Sequence, residues 1–139
     1  MEGNTKTQVI QAINAANGAL SDLYEVNRYI ENSQKTDPEG VPQKQDFMAG
    51  QTPREMTDMA NNLLGSAGFK IERLNKELRD IPENLRNGMG ISSVKTDAST
   101  VFKINPMKFK EAKASTDTLI EQIEIIRDYL NGKLANPDE

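Results

Sequence analysis

Four carboxylates, Asp117, Glu121, Glu124 and Asp128, follow one another at steps of 4, 3 and 4 residues. On a helix that spacing gathers them on one face, and several carboxylate oxygens together are what a hard cation requires. All four come from one segment, however. Metal sites in helical bundles take ligands from several helices and commonly include His, whereas this chain of 139 residues has no His and no Cys. The missing imidazole also removes His-based general acid–base chemistry and any triad built on it. The missing thiol removes thiolate nucleophiles, thiolate metal ligands and disulfides. The ridge therefore reads as a solvated face paired with Lys70, Arg73, Lys76 and Arg79. A carboxylate-based enzyme or ion-binding protein remains the alternative, and it requires Glu72 or Glu77 to meet Glu121 or Glu124 across helices. No phosphate loop, dinucleotide fingerprint, EF-hand loop or nucleophile elbow occurs. No metal, cofactor or small-molecule substrate is expected.

A second cluster lies in VFKINPMKFKEAK, where Lys103, Lys108, Lys110 and Lys113 surround Phe102 and Phe109. Lysines at the start of a helix oppose its dipole, which hints at an anionic surface, lipid or nucleic acid, as a further alternative. The overall balance argues against nucleic acid: 17 basic against 21 acidic residues give a net charge of -4, whereas phosphate binders carry a basic face. The simpler reading is surface lysines with the two phenylalanines turned to the core.

These groups must be positioned by helices. From Thr5 to Glu31, Val9, Ile13, Ala16, Leu20, Leu23, Asn27 and Ile30 recur at steps of 4, 3, 4, 3, 4 and 3, an uninterrupted heptad stripe. Near the other end, Phe109, Ala112, Thr116, Leu119, Ile123, Ile126 and Leu130 step by 3, 4, 3, 4, 3 and 4. This predicts a helix from Asn105–Pro106 to a stop at Asn131–Gly132, followed by a frayed tail over 133–139. Asn27 and Thr116 are the polar members of the two stripes. Each either fixes register or sits at a wet end of the bundle.

Between them, Thr52, Pro53 and Glu55 form a capping box with Pro at the first helical position. The helix they start runs to Ile81, where Pro82 ends it, and ENLRNG adds a short extension to 87. Within this helix Gly65 and Gly68 each cost about 1 kcal/mol against Ala. Three readings fit: a break that makes four helices, a flat patch approached closely by a neighbouring helix, or a hinge. The step pattern shifts phase between Leu63 and Ile71. A continuous helix of about 45 Å matches the outer two in length, which favours the flat patch.

Residues 32–51 and 88–104 read as long loops. In the first, Phe47 and Met48 are the large apolar pair that could pin it. In the second, Val94, Thr96, Thr100, Val101, Phe102 and Ile104 allow a hairpin, but an isolated hairpin is marginal in water and an irregular loop is preferred.

The expected fold is all-α: one domain, an elongated up-down-up bundle of three helices in which the outer two pack along the glycine-bearing middle one. The expected function is a non-enzymatic protein–protein interaction or assembly module, self-associating or binding a partner through helix faces. An assembly subunit of bacterial or phage type, a secretion-associated factor and an inhibitor of one target all fit. No apolar run reaches the ~20 residues of a membrane span, and MEGNTKTQ lacks the regions of a signal peptide. A soluble, cytoplasmic protein is therefore expected, with export by a dedicated machine or a removed signal left open.

Overall fold

The computed structural model describes residues 3–33, 53–96, 100, 102, 103 and 109–136. They form α1 (Gly3–Ser33), α2 (Pro53–Asp80), α3 (Glu83–Arg86) and α4 (Phe109–Ala135), in that order. Among the described residues there is no strand. The fold is all-α, as the two heptad stripes require. The Thr52 cap, the Asn105–Pro106 start, the Phe47–Met48 pair and Lys108 lie outside the described residues. None of the described helices is long and apolar enough to cross a membrane.

α1 is the helix that the other two share. It packs along α2 and along α4, while α2 and α4 make no comparable backbone approach to each other. This corrects the expectation of a central α2. The reason lies in residues outside the heptad stripe: Ala12, Ala19 and Val26 are buried as fully as Val9, Leu20, Leu23 and Ile30, and Ala15 is buried nearly as well. Together they widen the stripe to an apolar arc of roughly half the helix circumference, since successive residues turn by 100°. A helix buried over that arc can take a neighbour on each side. The alanines share their flank with Asp22, which reaches Lys70 of α2 at 2.9 Å. Small side chains there let α1 and α2 come close.

The direction of α4 also differs from up-down-up. Asn27 contacts Asp117 and Glu31 contacts Lys113, so residue numbers rise along α1 as they fall along α4, and the two are antiparallel. Asn75 and Gln122 clamp adjacent residues, Val94 and Lys95, and Tyr129 meets Leu85 and Gly88 beyond the end of α2. α2 and α4 therefore run parallel, both antiparallel to α1. Two parallel helices need a connection that travels the length of the bundle, and the segment after α3 supplies it.

α2 stops at Asp80, just ahead of Ile81–Pro82, because Pro has no N–H to donate and disfavours helical geometry in the residue before it. One turn of α3 follows, with the Leu85 and Arg86 N–H groups both donating to the Pro82 carbonyl, at 3.0 and 3.2 Å. Gly90, at φ +82°, turns the chain, a value an L side chain rarely adopts. The chain then climbs back between α2 and α4, burying Met89 and Val94. With no sheet to pair with, its backbone is paired by side chains. The Asn75 amide donates to the Val94 carbonyl at 3.1 Å and accepts from the Val94 N–H at 2.8 Å. The Gln122 amide accepts from the Lys95 N–H at 2.7 Å and donates to the Lys95 carbonyl at 3.4 Å.

The α4 stripe is buried at Ala112, Thr116, Leu119, Ile123, Ile126 and Leu130, each large member contributing about 1.5–3 kcal/mol. The helix runs through the expected Asn131–Gly132 stop to Ala135. Leu134 packs on the core and the Lys133 ammonium lies 5.6 Å from the centre of the Tyr129 ring. Those contacts hold a last turn that the local sequence would end. On α2 the buried apolar positions are Met56, Ala60, Leu64, Ala67, Ile71, Leu74 and Leu78, stepping 4, 4, 3, 4, 3 and 4. The phase shift thus precedes the glycines, at Met56–Leu64. Leu64, rather than Leu63, is the core residue there.

Candidate interaction face

α2 passes through Gly65 and Gly68 as one helix, so neither residue ends it. Nor, among the described residues, does a neighbouring helix use the space they leave. A Cβ added at Gly65 would meet nothing within 4 Å, and one at Gly68 would meet only the Phe102 ring, at 3.8 Å, an ordinary contact. Ala67, between them, is fully buried. The expected close approach at this patch is therefore not made among the described residues.

What surrounds the glycines is a recess of about 360 Å³. Leu64, Gly65, Gly68 and Ile71 supply its α2 side, and Thr96 and Phe102 close it from the returning segment. Phe69 stands at its rim with 77% of its surface exposed, the most exposed of the large apolar side chains described. Met59 and Phe102 are also exposed, at 41% and 39%. Phe102 is thus a half-covered wall of the recess and not a core residue. A second recess, of about 320 Å³, is lined by Glu83, Arg86, Asn87, Gly90, Ile91 and Ser92. The Arg86 Nε is buried there without a hydrogen-bond partner, but Glu83 in the same lining offsets the charge an anion would seek.

The other candidates lie apart from this face. At the end where α1 closes on α4, Asn27 Nδ2 donates to Asp117 Oδ1 at 2.8 Å, while its own Oδ1 is buried without a partner. Lys113 bridges Glu31 and Asp117, each at 3.3 Å. Burial alone would lower the Lys113 pKa, but its hydrogen bonds to Glu31 and Asp117 and their charges outweigh that and raise it. Lys113 is thus committed within the chain, while Lys103 and Lys110 are exposed. Thr116 is buried, and its hydroxyl donates to the Ala112 carbonyl one turn earlier at 2.7 Å. That bond stays within its own helix, and at 1% exposure Thr116 is not at a wet end.

The carboxylate ridge finds partners on α1 and α4, not on the α2 bases. Asp117 takes Asn27 and Lys113, and Arg127 takes Glu124 at 3.7 Å and Asp128 at 3.0 Å. Lys70 instead crosses over Gly18 to Asp22, so Gly18 is small where the lysine stem passes. Among the described residues no three acids gather as a cation would need.

Comparison with protein-family models, with curated proteins and with solved structures finds no match for this chain.

Proposed function

We propose that this protein is a non-enzymatic interaction or assembly module that works by packing another helix against the outward face of α2. The observation that carries this reading is Phe69, 77% exposed beside a glycine whose missing side chain nothing in the described chain occupies. Two glycines in a helix interior lose about 2 kcal/mol of helix stability together. An exposed aromatic at a notch is the usual geometry of a binding anchor. Assembly subunit, secretion-associated factor and inhibitor all use such a face, and the reading covers each of them.

A photo-activated cross-linking residue at position 69, incorporated in the producing cell, tests it. The expected result is a covalent protein adduct, with none from the same residue at Ser21 on the exposed side of α1. Equal labelling at both positions, or none at 69, would remove the reading.

A further inference from the structure

The outward face of α2 carries its own heptad: Asp58, Asn62, Gly65, Phe69, Glu72 and Lys76, spaced 4, 3, 4, 3 and 4 and all exposed. We infer that its occupant is a second copy of this chain, with the two α2 helices packed antiparallel about a twofold axis. This inference rests on the proposed role of that face.

In an antiparallel heptad pair, each position of one series faces a position of the other series on the partner. Placing the axis level with Ala67 makes the residue numbers of facing positions sum to a constant. Phe69 then faces Gly65 of the other copy, Lys76 faces Asp58, and Glu72 faces Asn62. Each match follows from the same register and is made twice by symmetry. The aromatic enters the notch that the glycine leaves, beside the recess walled by Leu64 and Phe102. The outer pair joins opposite charges. The parallel alternative sets Phe69 on Phe69 and Asp58 on Asp58, leaving the notch empty and like charges opposed. Two anchors on an otherwise polar stripe make a small interface, so association in the micromolar range or weaker is expected.

The chain has no Cys, which makes single-cysteine variants clean reporters. Asp58→Cys and Lys76→Cys are prepared separately and oxidised alone or mixed. Antiparallel packing brings 58 against 76 of the other copy and holds 58 from 58 by about 27 Å, at 1.5 Å per residue. A disulfide needs Cα atoms within about 7 Å. The mixture should cross-link as a heterodimer and neither variant alone should do so. Adding Phe69→Ala to both should cut the cross-linking at least tenfold, with unchanged circular dichroism. Cross-linking of Asp58→Cys with itself, or insensitivity to Phe69→Ala, would overturn the inference. Monomer under all conditions would also overturn it. If position 69 still forms adducts of another mass in the cell, the docking face survives and only its occupant is wrong.

Discussion

Replacing Asn75 with Ala removes one side chain and two hydrogen bonds, both to Val94. Each bond contributes about 1 kcal/mol, and an abandoned buried partner costs about 1–3 kcal/mol. Val94 itself is only 2% exposed, so water reaches its peptide groups poorly. A loss of about 2–3 kcal/mol follows. Gln122→Ala makes the comparison, because it releases bonds to Lys95 that are exposed. Water replaces those, and the cost falls to about 0.5–1 kcal/mol. Urea unfolding followed by circular dichroism resolves the two. With a slope of about 1–3 kcal/mol/M, Asn75→Ala lowers the midpoint by roughly 1–2 M and Gln122→Ala by well under half of that. Asn75→Asp keeps the acceptor for the Val94 N–H but turns a carboxylate on the Val94 carbonyl. Its deficit relative to wild type should narrow as pH falls from 7 toward about 4, where the protonated acid regains a donor. If Asn75→Ala stays within about 0.5 kcal/mol of wild type, or Gln122→Ala costs as much, the returning segment is not held as described.

Gly65→Ala should raise the stability of the monomer by up to about 1 kcal/mol, since the added methyl meets nothing; a melt under dilute conditions checks it. Gly88→Ala should destabilise, because the new Cβ would stand 2.9 Å from the Tyr129 hydroxyl and push it from the Leu85 carbonyl it donates to; the expected loss of about 1–3 kcal/mol is read from the same denaturant curves. Thr116→Val should change stability by less than about 1 kcal/mol, because the hydroxyl bonds only its own helix; a larger loss would revive a register role. The raised Lys113 pKa means that its pairing stabilises the fold fully below the unfolded-chain value of about 10.4 and is lost as pH rises through the higher folded value. Lys113→Met should therefore lose stability at neutral pH and converge on wild type in alkali.

The long helices were legible because burial on α4 follows a single apolar period through Leu119, Ile123, Ile126 and Leu130, with Ile120 buried beside it and Ile125 left exposed. On α1 the period revealed Val9, Leu20 and Ile30 but not the alanine flank, since Ala is too weakly apolar to stand out beside Gln and Asn. That flank decides which helix lies between the others. The direction of α4 was hidden for a different reason. Loop composition marks where a chain turns, not where it goes, although a connection as long as 81–108 has the reach to run the height of the bundle at about 3.3 Å per residue. Asn75 and Gln122 carried no signal, because amides on a helix flank look the same facing water or clasping a backbone. At the candidate face the glycines were conspicuous from their cost in helix stability. Phe69 was not, because an aromatic adjoining a glycine patch reads equally well as a core residue.

The most direct test of the central claim, that the glycines of α2 open a face on which a second copy of this chain docks, is solution mass by light scattering across concentration. Wild type should rise from the 15.5 kDa of one chain toward about twice that as concentration reaches the millimolar range. Gly65→Leu, which fills the notch without touching the core, should remain at the single-chain mass. The same mass for both proteins at every concentration would contradict it.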